Sequence, residues 1–325
     1  MLKKMFSGAR FLAWTFGSAA LMAVAGCSKQ EAPPAAAGDS PARKAVAFNV
    51  NFGSGTRLAV GDDYITRFTG GEAIGVYAVL QGAAPGEQYL WAKDNYADNV
   101  KMVFNASAQR WEYAGEPIYW PEDEDCALDF YAYYPYDPDI LDKMTYAESN
   151  PPYRIFPNFT FAAQTDQSTL EAFFASDYMQ AQNSGSLTAE DAPDGVPLLF
   201  HHVMAMWEVE VVAAGGAQLD GMHVELYDWP YTSKIELRRD YTSGSYYTSR
   251  DPDFMASIPM LRVETDPGAE TYTYRALAPW RDKEPGETLF TFAIGGRRYD
   301  FKNPDYMNTW DNEVYRYKVT INGVE

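Results

Sequence analysis

From Val46 onward the chain alternates. Val46, Phe48, Val50 and Phe52 are apolar and separated by smaller or polar residues, the period-2 pattern of a strand with one buried face. "AIGVYAVL" (Ala73 to Leu80) follows the break at Gly70-Gly71 and reads as a buried strand. "ALDFYAYY" (Ala127 to Tyr134) follows the turn-rich "PEDED". It sets Leu128, Phe130, Ala132 and Tyr134 toward one side and Asp129, Tyr131 and Tyr133 toward the other. One side is expected to be core, the other a tyrosine face whose hydroxyls reach water or a partner. Pro135 and "YDPD" end that strand. After Pro197, "LLFHHVMAMWEVEVV" closes with Trp207, Val209 and Val211 alternating with Glu208 and Glu210. "MHVELY", "TYTYRAL" and "TLFTFAI" follow, each bounded by Gly, Pro, Asp or Ser. The last run, "EVYRYKVTI", places Tyr315, Tyr317, Val319 and Ile321 opposite Arg316, Lys318 and Thr320, which predicts a half-buried antiparallel strand.

Helical periodicity is scarce. The best candidate is "STLEAFFASDYM", with Leu170, Phe173 and Phe174 at i, i+3 and i+4. Many short strands between turn signals predict an all-β chain built as β-sandwiches. At 325 residues two are expected, dividing within the polar "NSGSLTAEDAPDG" (Asn183 to Gly195).

The N-terminus changes the picture. Lys3, Lys4 and Arg10 form a basic segment, and "FLAWTFGSAALMAVA" is an apolar run of fifteen residues, short for a membrane span. It ends in Val24-Ala25-Gly26-Cys27, which resembles the lipobox of bacterial lipoproteins. Small residues let a peptidase approach the backbone, and the Cys27 thiolate is the nucleophile that accepts lipid. The alternative is an ordinary signal peptide with a chance cysteine. Residues 28–44, "SKQEAPPAAAGDSPARK", read as a flexible tether. The expected organisation is a lipoprotein signal peptide (1–26), the lipidated Cys27 with its tether (27–45), one sandwich over 46–190 and a second over 191–325. Ser28, where some bacteria use Asp for inner-membrane retention, favours the outer membrane.

Charge and chemistry narrow the function by exclusion. With 26 basic and 45 acidic residues the net charge is −19, which disfavours nucleic acid and anionic lipid as partners. Of the three histidines, His201 and His202 are adjacent in a strand and point to opposite faces, so they cannot ligate one metal together. HExxH, paired CxxC, Walker A, G-x-S-x-G and G-x-G-x-x-G spacings are absent. "EDED" (Glu122 to Asp125) and "DPD" (251–253) offer oxygen ligands but lack the spacing of a calcium loop. No catalytic residue, metal or cofactor is expected. The tyrosine-rich strand could serve as a sugar-binding platform, or be covered by a loop or a neighbouring subunit.

The order of the pieces carries further information. Cys27, "VAFNVNF" with Thr56-Arg57, "GGEAIGVYAV", "PIYWPEDEDCALDFYAYYPY", "ASDYMQA", "VPLLFHHVMAMWEVEV" and "WDNEVYRYKVTING" span nearly the whole mature chain. This succession resembles the fimbrillin family, the lipoprotein pilus subunits of Gram-negative anaerobes. The resemblance implies two transthyretin-like β-sandwich domains and export to the outer-membrane surface through lipid on Cys27. It also implies removal of the first strand by an arginine-specific protease and filling of the open groove by a strand of another subunit. Arg57 is the candidate cleavage site, with Arg43 and Arg67 as competitors. Val46, Phe48, Val50 and Phe52 would leave with the first strand. The segment carrying Tyr315, Tyr317, Val319 and Ile321 is either a donor strand or the subunit's own last strand. Only "NGVE" follows it, which leaves an accessory, tip or anchor role open. The expected function is a structural or adhesive subunit of a cell-surface fimbrium whose partners are other pilus subunits. A non-polymerising surface lipoprotein that binds host or bacterial glycan or protein through exposed aromatic residues is the alternative.

Overall fold

The alternating segments do form strands. The computed structural model describes residues 43–52, 68–81, 90–146, 157–237, 248–250, 254–263 and 270–323, and within them the architecture is nearly all β. The first half contains β1 (Phe48–Phe52), β2 (Ala73–Gln81), β3 (Ala97–Asn105), β4 (Arg110–Tyr113) and β5 (Ala127–Tyr134), then α1 (Ile140–Lys143) and β6 (Thr145–Tyr146). β7 (Pro157–Ala162), α2 (Leu170–Ala175), β8 (Met179–Leu187) and β9 (Val196–His202) follow. A seven-stranded sheet runs in the order β1-β9-β8-β5-β2-β3-β4. It wraps around an apolar core that includes Phe48, Val76, Trp120, Phe130, Leu198 and Phe200.

The second half contains β10 (Ala205–Ala214), β11 (His223–Pro230), β12 (Thr232–Glu236), β13 (Thr248–Arg250), β14 (Met255–Pro259) and β15 (Leu261–Arg262). It ends with β16 (Thr271–Ala278), β17 (Thr288–Ile294), β18 (Arg297–Lys302) and β19 (Val314–Asn322). Two four-stranded sheets, β15-β16-β10-β19 and β14-β11-β17-β18, enclose a second core around Trp207, Trp229, Phe290 and Phe292. A third core joins the halves. It packs Tyr77, Tyr131 and Tyr133 of the seven-stranded sheet against Phe159, Phe161 and Phe173, and against Met206, Leu261 and Leu277 of the second half.

Three expectations change here. First, both faces of β5 are covered: Asp129, Tyr131 and Tyr133 are as buried as Leu128 and Phe130, so no tyrosine face meets water. Gly75, paired across from Tyr133, makes room for the ring, since an added Cβ would collide with it. The Tyr133 hydroxyl then donates to Asn99 Oδ1 at 2.8 Å and accepts from the Asp137 amide at 3.1 Å. Second, the polar stretch read as an inter-sandwich boundary is β8 and its hairpin turn to β9. β8 lies between β5 and β9, so the division expected at 190/191 falls inside one sheet, and the chain changes sheets between His202 and Ala205. Asp129 makes the polar strand compatible with burial, accepting from the Ser186 amide at 2.8 Å and from Gln81 Nε2 at 2.9 Å. Third, the last strand β19 runs parallel to β10, not antiparallel to a neighbour.

The expected helix is present as α2, with Thr169 Oγ1 capping it by accepting from the Ala172 amide. Only Phe173 of its three apolar residues is buried; Leu170 and Phe174 face outward.

Candidate functional site

The first strand is tied to both margins of its sheet. On one side β1 pairs in parallel with β9, from Phe48 opposite Val196 to Phe52 opposite Phe200. On the other side the residues just before it meet the segment around Ile118. The Val46 amide donates to Ile118 O at 2.8 Å, the Trp120 amide to Lys44 O at 2.9 Å, and the Tyr113 hydroxyl to Val46 O at 2.8 Å. The strip from Lys44 to Phe52 therefore closes the gap between β9 and the far side of the sheet, and period-2 alternation decides what it buries. Val46 and Phe48 point into the core, Val50 is half-buried, and Ala47, Asn49 and Asn51 face out. The Phe48 ring packs edge-on to Phe130 with centroids 5.3 Å apart. The role of Ile118 and Trp120 was missed from the sequence, because two alternating residues before Pro121 are too short to read as a strand.

The other predicted positions divide. Cys27, Arg57 and Arg67 lie outside the described residues. Arg43 is exposed at the head of the strip, its guanidinium 4.8 Å from the centre of the Tyr119 ring. Tyr315, Tyr317, Val319 and Ile321 share the inner face of β19 and pack half-buried on the second core. On its outer face β19 is held by charge. Glu208 of β10 accepts from Arg275 of β16 at 2.8 Å and pairs with Arg316 of β19 at 3.3 Å, and Lys318 pairs with Glu210 at 2.5 Å. These partners sit directly opposite one another in the ladders, so the ion pairs select this register.

Where the two halves meet, residues from three of the ordered motifs converge. His202 Nδ1 lies 2.5 Å from Asp177 Oδ1, the His202 amide donates to Asn312 Oδ1 at 3.3 Å, and the Asn312 amide donates to Met204 O at 3.0 Å. Burial pushes the Asp177 carboxyl above its usual range, and His202 pulls it back. The second carboxylate oxygen of Asp177 is buried with no hydrogen-bond partner among the described residues. A general base needs access to a substrate proton. With Asp177 fully buried and His202 nearly so, this pair has none and acts as a polar fastener. Gln167 is a second fastener, and the sequence offered no signal for it. Its amide donates to Pro259 O at 2.9 Å, its Nε2 donates to Leu277 O at 2.7 Å, and its Oε1 accepts from the Leu277 amide at 2.8 Å. Strand β7 completes the junction by pairing antiparallel with β12.

Among the described residues no group of His, Cys, Asp and Glu is placed to hold a metal ion, and no helix is long and apolar enough to cross a membrane.

Comparison with known proteins bears out the resemblance read from the ordered motifs. A family profile described as fimbrillin-like matches residues 56–325. A Bacteroides ovatus protein described as a candidate fimbrium tip subunit, Fim1C, is 27% identical over 150 residues, which are 46% of this chain and 24% of that protein. The matched stretch thus spans about a quarter of that relative's length. The crystal structure of a candidate cell adhesion protein from Bacteroides ovatus superposes with a TM-score of 0.57 at 19% identity, covering 86% of this chain and 91% of the other. A candidate cell adhesion protein from Bacteroides uniformis gives a TM-score of 0.54 at 19% identity, over 86% and 94% of the two chains. At that identity the structural matches establish the fold alone.

Proposed function

This chain belongs to the fimbrillin-like family, and from that premise we propose that it is a structural or adhesive subunit of a cell-surface pilus. The subunit is exported as an outer-membrane lipoprotein through Cys27, matured by cleavage after Arg57, and joined to the next subunit by strand exchange. The observation that carries this reading is the strip from Lys44 to Phe52. It closes the sheet by pairing on two sides, yet it is joined to the rest of its sheet only through the segment that contains Arg57. Cutting after Arg57 severs the strip from β2 onward and cuts no strand among the described residues. Loss of the strip exposes the inner faces of Val196, Leu198 and Phe200 and the unpaired edge of β9, a template for strand addition. Arg43 precedes the strip, so cleavage there leaves it in place.

The test is electron microscopy of cells with and without the gene, using an antibody to this chain, together with N-terminal sequencing of surface-extracted protein. Filaments carrying the chain, and a terminus at Leu58, support the reading. Intact protein beginning at Cys27 with no associated filaments defeats it. A second reading is a surface lipoprotein that binds glycans without polymerising, and solvent-facing aromatic residues such as Trp91 and Trp310 favour it. Membrane partitioning of Cys27→Ala tests the anchor common to both. Stable anchoring takes two acyl signals, at about 0.8 kcal/mol per buried CH₂, so the variant should leave the membrane fraction.

A further inference from the structure

The loop that leads into β19 holds its backbone rigidly while turning its largest apolar groups outward. The Lys283 amide donates to Met307 O at 3.0 Å and the Met307 amide to Lys283 O at 2.9 Å. Two residues along, the Thr309 hydroxyl accepts from the Arg281 amide and donates to Arg281 O, both at 2.8 Å. The Trp310 amide donates to the Tyr315 hydroxyl at 2.6 Å, and the Tyr315 ring stacks on the buried Trp207 with centroids 4.7 Å apart. This extended pairing buries Met307 and Thr309 and puts Tyr306, Asn308 and Trp310 on the opposite, solvent face. Trp310 is 61% exposed and Tyr306 56%, the two highest values among the large hydrophobic side chains of the described residues.

Scattered exposed aromatics are ordinary. Here two of them flank an amide at i, i+2 and i+4, about 13 Å from end to end for extended backbone, on a segment whose conformation is already set. A ligand that stacks on them incurs little ordering cost. The chemistry of the face selects the ligand. Indole and phenol rings offer flat apolar surface with a polar rim, and the Asn308 amide can both donate and accept. The flanking charges are mostly acidic, with Asp305 and Asp311 in the loop and Asp282 accepting from the Thr309 amide. An anionic ligand is therefore repelled at this face. We propose that Tyr306, Asn308 and Trp310 form a binding face for a neutral oligosaccharide, the rings stacking on the C–H faces of successive sugars and Asn308 bonding their hydroxyls. The inference rests on the adhesive part of the proposed function and is independent of polymerisation.

The test uses the full chain and a panel of neutral hexasaccharides derived from cellulose, xylan, mannan and chitin, with a heparin-derived hexasaccharide as anionic control. Binding is followed by calorimetry and by affinity gels. At least one neutral sugar is expected to bind and the heparin fragment is not. Trp310→Ala should weaken binding by at least about tenfold, a difference of about 1.4 kcal/mol. Trp310→Phe should keep part of it, and Tyr306→Ala should weaken it less. Both positions are exposed, so melting temperatures should match the unaltered chain. Absence of binding across the neutral panel, or unchanged binding by Trp310→Ala, overturns the inference. If Trp310→Ala instead blocks entry into filaments and no sugar binds, the face is a subunit contact; the inference falls and the pilus reading stands. Sugar binding that depends on Trp310 in cells without filaments has the opposite meaning.

Discussion

The first and last strands of this protein are counterparts held in place by different forces. β1 and β19 each lie at the margin of a sheet, and they pair in parallel with β9 and β10, which are consecutive in the chain. Both alternate apolar and polar residues. Yet Val46 and Phe48 are almost fully withdrawn from water, whereas Tyr315, Tyr317, Val319 and Ile321 are each only half-buried. The first strand is fixed by burial and by backbone bonds on two sides, the last by one parallel ladder and half-buried packing, with ion pairs selecting its register. A strand held by burial leaves an apolar groove when it goes, and a groove accepts any strand with the same alternation. A strand whose outer face carries opposite charges to its neighbour favours one register and one partner. Under the proposed strand exchange, the contrast favours the N-terminal sheet as acceptor, while β19 pairs with β10 of its own chain.

Removing the first strand is the largest way to break the comparison. Fully burying one apolar side chain contributes roughly 1.5–3 kcal/mol, so two such residues and the half-buried Val50 amount to roughly 4–7 kcal/mol. The whole stability of a domain is about 5–15 kcal/mol. Protein cleaved after Arg57 and stripped of the strip should melt far lower or form oligomers, as read by calorimetry and size-exclusion chromatography. A peptide of residues 312–325 should rescue it if the inner face of β19 can fill the groove. A cleaved form that remains a stable monomer, indifferent to peptide, would show that β1 is no plug.

Charge reversal of emphasis is expected at the other end. Glu208→Ala leaves the nearly buried Arg275 without its carboxylate, and breaking such a pair costs about 3–5 kcal/mol. Arg316→Ala removes a half-exposed partner of the same carboxylate and should cost no more than about 1 kcal/mol. Urea unfolding of the two variants measures the gap. Equal costs would mean that the half-exposed Arg316 contact is worth as much as the buried Glu208–Arg275 pair.

A smaller effect sharpens the comparison from the interior of the first sheet. Gly75→Ala drives a methyl group into the Tyr133 ring, and overpacking of this kind costs about 1–3 kcal/mol. The loss should appear in thermal unfolding of the intact chain and leave the β19 ion pairs untouched. A neutral outcome would mean that the Tyr133, Asn99 and Asp137 knot is slack.

The smallest effect is a pH dependence at the junction. Burial raises the Asp177 carboxyl, so folding favours its protonated form. That contribution is complete below the unfolded value of about 3.9 and is lost as pH rises through the raised folded value. The stability of the unaltered protein relative to Asp177→Asn should therefore decline from pH 4 toward neutrality. Paired urea titrations across that range would refute the assignment if the relative stability rose instead.

Period-2 alternation determined a good deal on its own, because it reports which side of a strand is withdrawn from water and needs no knowledge of the partner. The inward direction of Val46 and Phe48 and the shared inner face of Tyr315, Tyr317, Val319 and Ile321 follow from it, while a continuous apolar run behind Gly70-Gly71 marked the strand at Ala73 and the turn signals between short runs marked the all-β class. The motif order was legible too, and Asp177, His202 and Asn312 from three of those motifs meet in polar contacts at the junction. Only the tertiary structure decided the pairing. The parallel sense of β1 on β9 and of β19 on β10 depends on chain segments more than a hundred residues apart, and no local pattern encodes direction. The same limit hid β8. Its polar residues resemble a linker until Ser186 is seen to donate to Asp129. It also misassigned Tyr131 and Tyr133, for an amphipathic face looks the same in sequence whether water or a second core covers it.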